Sequence, residues 1–103
     1  MAKQIILYNL ADHVTDEQYK NYALNEKGPL LNNLPGVDKF ELMRIKGSMK
    51  GEVPYQYIGI IYINDPVTFN QKALPSKEFQ NFQAKWSTMV RPDFHVLMGD
   101  ELF

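Results

Sequence analysis

The stretch Tyr55-Gln-Tyr-Ile-Gly-Ile-Ile-Tyr-Ile63 decides the fold of this chain. It is nearly continuous in aromatic and β-branched residues, which favour β-strands, and the turn-forming Asn64-Asp65-Pro66 ends it. Side chains alternate between the two faces of a strand. Both faces are apolar here, with Tyr55, Tyr57, Ile61 and Ile63 on one and Ile58, Ile60 and Tyr62 on the other. We therefore predict a strand that is buried on both faces.

A strand and a helix are predicted near the N-terminus. Residues 4–10 have the β-branched and aromatic content of a strand. A helix then begins at Thr15, which is spaced from Gln18 as in a capping box. Its apolar stripe continues to Leu34, but Pro29 lacks the amide hydrogen that a helix interior needs. We expect a kink or a break at Gly28-Pro29.

The remaining elements complete a recognisable order. Residues 37–45 alternate well enough for a second strand, and residues 94–98 are predicted to form a fourth. Between the third and fourth strands, a helical region begins at Asp65 and is divided at Pro75-Ser76 into a short and a longer helix. The order βαββαβ predicts one α+β domain over residues 1–103, with a ferredoxin-like, four-stranded antiparallel sheet and helices on one face.

The second face of that sheet needs a cover that the chain does not provide. Leaving several strands of Ile and Tyr in water would expose a larger apolar patch than soluble monomers usually tolerate. A second copy, packed sheet against sheet, would bury it, so we expect a homodimer. A monomer with a twisted sheet and scattered exposed aromatic side chains is the alternative.

Composition excludes several classes of partner. Lys and Arg total 11 and Asp and Glu total 12, for a net charge of −1 without charge runs, so we expect no nucleic-acid partner. No apolar stretch approaches the ~20 residues of a membrane span, and the first apolar run is too short for a signal peptide. Cysteine is absent, which excludes disulfides and thiolate sites and makes a cytoplasmic location the default expectation.

Several segments together resemble a known superfamily. These are the helix start Thr15-Asp-Glu-Gln18, the segment Pro29-Leu-Leu followed by Leu34-Pro-Gly-Val37, Asp65-Pro66, and a second helix that contains Trp86. Over essentially the whole chain they resemble the dimeric α+β barrel superfamily, which includes antibiotic-biosynthesis monooxygenases, muconolactone isomerases, EthD-type proteins and small polyketide cyclases. Within it, the chain is most similar to the RedY-like proteins of prodiginine pigment clusters.

This resemblance implies a function in secondary metabolism. It implies a protein that acts on a small hydrophobic aromatic or pyrrolic intermediate in a cavity between sheet and helices, as a cofactor-independent cyclase, isomerase, hydrolase or monooxygenase. A non-catalytic carrier of such an intermediate, and a dimer with a filled barrel and no cavity, are the alternatives. EthD-type sequences usually carry a histidine two positions before the helix-one proline, where this chain has Lys27, so the role of that histidine does not transfer.

The residues themselves supply only dispersed candidates for chemistry. Phosphate-binding glycine loops, metal-spaced histidine pairs and nucleophile elbows are all missing from the sequence, so we predict neither a metal nor a cofactor. His95 is the candidate acid–base group, because its ordinary pKa lies near neutrality. An exposed or hydrogen-bonded sheet histidine is the alternative. Tyr22, on helix one, is the second catalytic candidate, with core packing as its alternative.

Other polar or aromatic side chains are predicted to bind the substrate. Arg44 could hold a carboxylate with two hydrogen bonds, although an exposed edge-strand arginine is the more frequent case. Trp86 could stack on an aromatic ring, although its helical spacing from Phe79 and Phe82 also suits core packing. The full set of predicted substrate-binding residues is Tyr8, Asn9, Asn25, Arg44, Tyr57 and Trp86.

Overall fold

A computed structural model describes the whole chain, residues 1–103. The strands are β1 (Ala2–Tyr8), β2 (Val37–Arg44), β3 (Tyr57–Ile63) and β4 (His95–Asp100). They form one sheet in the order β2-β3-β1-β4, and every neighbouring pair is antiparallel. The predicted ferredoxin-like α+β fold is confirmed. Strand bounds differ from the prediction by up to two residues.

Three helices pack on one face of this sheet. Helix α1 covers residues 16–32, helix α2 covers residues 66–73, and helix α3 is Lys77–Ser87. The predicted caps are present: Thr15 and Gln18 form the capping box, and Asp65 caps α2. The hydroxyl of Ser76 accepts the amide hydrogen of Phe79 and so begins α3. No helix combines the length and the apolar character that crossing a membrane requires.

Of the kink or break expected at Gly28-Pro29, the break is wrong, because α1 continues through these residues. Its middle part, Ala23–Lys27, is a π-helix between the α-helical segments Asp16–Tyr22 and Gly28–Asn32. The amide of Gly28 donates to the carbonyl of Ala23, five residues back. A π-turn contains one more residue than an α-turn. In this helix the wider turns come directly before Pro29, which has no amide hydrogen to donate to the preceding turn. A Cβ on Gly28 would lie 2.9 Å from that carbonyl oxygen, so glycine suits the turn.

The two faces of the sheet have different surroundings. Ile6 pairs with Gly59 and Val96 in register, and this set of positions faces the helices. The largest fully buried side chains of the resulting core are Tyr8, Tyr19, Lys27, Leu31, Ile61 and Ile63. We call the opposite side the open face. It carries the half-buried or exposed apolar side chains of Ile5, Leu7, Met43, Ile58, Ile60 and Leu97.

Candidate functional site

A cavity of about 430 Å³ lies between the helix-facing side of the sheet and α3. Helix α3 contributes Phe79, Phe82 and Trp86, which its periodicity brings to one face. The sheet contributes Ile6, Ile61 and Val96, and the polar residues that line the cavity include Gln4, Lys27 and Gln83. A volume of this size, with mainly apolar walls and few polar groups, is typical of small-molecule sites.

Among the residues that line the cavity, Lys27 alone can carry a charge, and it is only 1% exposed to solvent. Its Nζ lies 2.8 Å from the hydroxyl of Tyr19 and 3.1 Å from that of Tyr8. None of the ion pairs of the chain includes it. Instead, five aromatic rings lie within 4.9–5.9 Å of Nζ, those of Tyr8, Tyr19, Phe40, Phe82 and Trp86.

The π-helical part of α1 explains how Lys27 reaches this position. Lys27 lies eight positions after Tyr19 in the chain, which exceeds two turns of an α-helix at 3.6 residues each. The wider turns over Ala23–Lys27 remove this excess, so Tyr19 and Lys27 lie on the same side of the helix. The same local geometry that accommodates Pro29 therefore directs a lysine into the core.

Burial dominates the electrostatics of the cluster. It lowers the pKa of Lys27 to about 7, because the charged ammonium loses its water. It raises the pKa of Tyr19 to about 12 and that of Tyr8 further, which keeps both phenols neutral. The aromatic rings attract the ammonium form and offset part of the cost of burying it. Lys27 is thus the group in this cavity that titrates near neutral pH.

A second polar group in the cavity has no partner within the chain. The side-chain oxygen of Gln4 is buried and accepts no hydrogen bond, although Gln4 lines the same space as Lys27. An unmatched buried acceptor typically costs about 1–3 kcal/mol. A ligand that donates an N–H or O–H at this point would remove that cost, so Gln4 adds directionality to an otherwise apolar cavity.

Two of the predicted binding residues belong to this site. Trp86 lines the cavity, and its Nε1 donates to the hydroxyl of Tyr19 over 3.1 Å. Tyr8 holds Lys27 and stands edge-on to Trp86, with ring centroids 5.1 Å apart. Tyr57 stacks on Tyr8 at 5.6 Å, but its hydroxyl points away and donates to Asp16. Tyr57 therefore supports the cluster from outside the cavity.

Arg44 already holds a carboxylate of the chain itself. Its Nε and Nη2 lie 3.2 Å and 3.3 Å from the two oxygens of Asp16. The hydrogen bond from Tyr57 and the pairing with Arg44 lower the pKa of Asp16. These three residues line a separate groove of about 480 Å³ between α1 and β2. The bidentate geometry expected of Arg44 is present, but its partner is internal and not a ligand.

The other helix and loop candidates lie outside the cavity. Asn9 accepts the amide of Gln56 and donates to the carbonyl of Pro54, so it fixes the start of β3. Asn25 is exposed on α1. Tyr22 is buried, but it faces a groove toward α3 where the Nζ of Lys85 lies 5.3 Å from its ring. The structure does not bring Tyr22 or Asn25 to Lys27.

His95 lies on the open face, on the other side of the sheet from Lys27. It pairs with Leu7 in register and stands edge-on to Tyr55, with ring centroids 5.7 Å apart. Its neighbours Phe94 and Val96 turn the other way: Phe94 packs on Trp86, and both line the cavity. His95 and Tyr22 are therefore separated by the sheet. The acid–base role of His95 stays a prediction, which would concern the open face.

Sequence reasoning noted Lys27 only as a departure from the EthD pattern and did not include it in the site. A signal was present, because Tyr19, Ala23, Lys27 and Leu31 recur every four residues along one helix stripe. A lysine inside an apolar stripe indicates either a snorkelling side chain or a buried amine. Gln4 carries a similar signal, since it alternates with Ile6 and Tyr8 on the helix-facing side of β1.

The comparisons with known proteins agree with this fold. The sequence model of the family described as REDY-like protein HapK matches residues 2–102. The crystal structure of HapK from Hahella chejuensis is similar, with 24% identity, a TM-score of 0.80, and coverage of 99% of this chain and 93% of that one. EthD-family and DABB-family structures are also similar, as the sequence resemblance predicted. No protein with a curated description matches the sequence significantly.

Two further solved structures share this fold. A dimeric ferredoxin-like protein of unknown function from Thermobifida fusca has 15% identity and a TM-score of 0.75, with coverage of 97% of this chain and 90% of that one. SnoaB from Streptomyces nogalater, described as a cofactor-independent oxygenase, has 12% identity and a TM-score of 0.74, with coverage of 99% and 93%. At these identities the similarity shows a common fold.

Proposed function

Because the chain belongs to the family of the REDY-like protein HapK, we propose that it acts in secondary-metabolite biosynthesis. In this proposal it holds a hydrophobic aromatic or pyrrolic intermediate, of the prodiginine type, in the cavity around Lys27. SnoaB, described as a cofactor-independent oxygenase, supports this general class of chemistry on this fold. The resemblance to antibiotic-biosynthesis proteins noted in the sequence supports it further.

The observation that carries the proposal is the composition of the cavity. Its volume of about 430 Å³ suits a molecule of a few rings, and Phe79, Phe82 and Trp86 offer aromatic surfaces for stacking. The unpartnered oxygen of Gln4 offers an acceptor for a pyrrole N–H. A ligand with apolar rings and a single polar edge would match these walls, whereas a strongly charged ligand would lose its hydration without compensation.

We further propose that the working form is a homodimer formed through the open face. The apolar side chains of this face come from all four strands and lack a cover within the chain. The dimeric ferredoxin-like protein from Thermobifida fusca supports the same assembly by analogy of fold. In an isologous contact each copy would cover the other, and His95 would lie between the two subunits.

A binding experiment tests the cavity proposal. Isothermal titration calorimetry with bipyrrole should show saturable binding to the wild-type chain. Gln83→Phe should weaken it strongly, because Gln83 lines the cavity on the side of α3 that carries Phe79 and Trp86, where a phenyl group would fill part of the space. Gln80→Phe, on the same helix but outside the lining, is the matched control and should bind normally. Absence of saturable binding, or equal binding by both variants, would contradict the proposal.

A carrier without catalytic activity is the second candidate. It is favoured by the lack of any histidine or carboxylate among the cavity-lining residues, which leaves Lys27 as the single lining group with a pKa near neutrality for acid–base catalysis. Recovery of the bound compound tests this alternative. A carrier returns the natural intermediate unchanged after prolonged incubation, whereas an enzyme returns a product of different mass or retention time on chromatography.

A further inference from the structure

The hydrogen atoms around Lys27 can be counted from the polar partners that the chain itself supplies. The hydroxyl oxygen of Tyr19 accepts from Trp86 Nε1 and from Lys27 Nζ, which occupies both of its lone pairs. Its own hydrogen must then go to Tyr8, whose oxygen lies 2.5 Å away. The hydrogen of Tyr8 has Lys27 Nζ, at 3.1 Å, as its one remaining neighbour.

The protonation state of Lys27 decides whether that last hydrogen is satisfied. An ammonium group has no lone pair, so it would leave the Tyr8 hydrogen buried without an acceptor, at a cost of about 1–3 kcal/mol. A neutral amine accepts it and donates in turn to Tyr19. Tyr8, Lys27 and Tyr19 then form a closed ring in which each member donates once and accepts once. The geometry thus favours the neutral amine in the folded chain.

A neutral amine in an apolar cavity is a nucleophile. Desolvated lysines with lowered pKa values are the residues that form Schiff bases with carbonyl compounds. The chain has nine lysines, and Lys27 is the one that is buried. A lysine in a model peptide has a pKa near 10.4 and is almost entirely ammonium at neutral pH. Burial lowers the pKa of Lys27 to about 7, so a large fraction of this amine is unprotonated at neutral pH.

We propose that the cavity takes an aromatic aldehyde and that Lys27 condenses with it to a Schiff base. This inference rests on the proposed function and names the reactive group of its ligand. Nζ attacks the carbonyl carbon and forms the C–N bond, while the carbonyl oxygen gains a proton and becomes a hydroxyl group. That hydroxyl leaves as water with a second proton, and the C=N bond forms. Both protons come from Nζ, and the hydroxyls of Tyr8 and Tyr19 relay them.

Reductive trapping tests this assignment on the full chain. The protein is incubated near pH 7.5 with benzaldehyde and sodium cyanoborohydride, which reduces an imine to a stable secondary amine. Peptide mass spectrometry should find a benzyl group at Lys27 in roughly tenfold or greater excess over any other lysine. The N-terminal peptide is mapped separately, because the α-amine of Met1 can also react with an aldehyde. Labelling of Lys27 should fall as the pH is lowered from 8 to 6, because protonation removes the nucleophile.

Two variants control for the position of the amine. Lys27→Met removes the nucleophile but keeps a long apolar side chain, and it should lose the adduct. Lys85→Met changes an exposed lysine of α3 and should label as the wild type does. Site mapping on the wild-type chain gives the same answer even if Lys27→Met folds poorly.

Benzyl alcohol separates this inference from the proposed function. It lacks the carbonyl, but it should occupy the same cavity and reduce labelling by benzaldehyde. If calorimetry shows that benzyl alcohol binds while Lys27 stays unlabelled, the Schiff base is rejected and the binding function stands. If neither compound binds and the label is spread over surface lysines, the Schiff base is rejected; the binding function is rejected as well only if bipyrrole also fails to bind.

Discussion

At the scale of single residues, the burial of Lys27 links protonation to stability. The unfolded chain keeps this lysine protonated up to a pKa near 10.4, whereas in the folded chain burial lowers the pKa to about 7. Below pH 7 both states carry the charge, so the full cost of burying it is present. Between pH 7 and 10 the unfolded chain binds more protons, and the free energy of unfolding therefore rises with pH.

We predict that Lys27→Met removes this pH dependence. Relative to the variant, the wild-type chain should gain about 2–3 kcal/mol of stability between pH 7 and 9, measured by urea unfolding at each pH. Lys85→Met, which replaces an exposed lysine, should follow the wild-type curve. Parallel curves for the wild type and Lys27→Met would mean that Lys27 keeps its ordinary pKa in the fold.

At the scale of elements, the π-helical part of α1 reverses the usual effect of a glycine substitution. Alanine stabilises an ordinary helix interior by about 1 kcal/mol relative to glycine. At Gly28, however, the new Cβ would lie 2.9 Å from the carbonyl oxygen of Ala23, which belongs to the backbone and cannot turn aside. We predict that Gly28→Ala destabilises the fold by roughly 1–2 kcal/mol in urea unfolding.

Gly47→Ala is the matched control for this prediction. No atom lies within 4 Å of a Cβ placed at Gly47, so its stability should stay within about 0.5 kcal/mol of the wild type. A stabilised Gly28→Ala would indicate that α1 can return to regular α-helical geometry. In that event, the position of Lys27 would not depend on the wider turn.

At the scale of the whole molecule, two adjacent isoleucines of β3 allow the core under the helices and the open face to be tested separately. Ile61 is 1% exposed in the core under the helices, whereas Ile60 lies on the open face. We predict that Ile61→Asp unfolds the chain, at a cost of several kcal/mol for an unpaired buried charge. Ile60→Asp should keep the fold but give a monomer, as seen by circular dichroism and sedimentation.

The wild-type chain provides the reference for this pair. It should sediment as a dimer of its 12.0 kDa subunit at micromolar concentration. A monomeric wild type, or a dimer that survives Ile60→Asp, would exclude the open face as the interface. In that case, the exposed apolar positions of β4, such as Leu97, would need a different explanation.

Much of the fold was predictable because its determinants are local. Strand periodicity, the caps at Thr15, Asp65 and Ser76, and the order of elements depend on residues that are close together in the chain. Turn and cap chemistry acts over three or four residues, and alternation acts over two. The ferredoxin-like fold and the apolar second face of the sheet therefore followed from sequence patterns.

The site depended on tertiary structure, because its members are distant in sequence. The chemistry of the imidazole made His95 the predicted acid–base residue. The register between β1 and β4, however, directs its side chain to the open face, and a shift of one residue would place it on the helix-facing side. Lys27 was noted in the sequence only as the residue in place of the EthD-type histidine, and only packing brings Tyr8, Tyr19 and Trp86 around it. The sequence by itself determined the layers, because local patterns specify them. The tertiary structure alone decided that Lys27 is the desolvated lysine, because burial is a property of the assembled core.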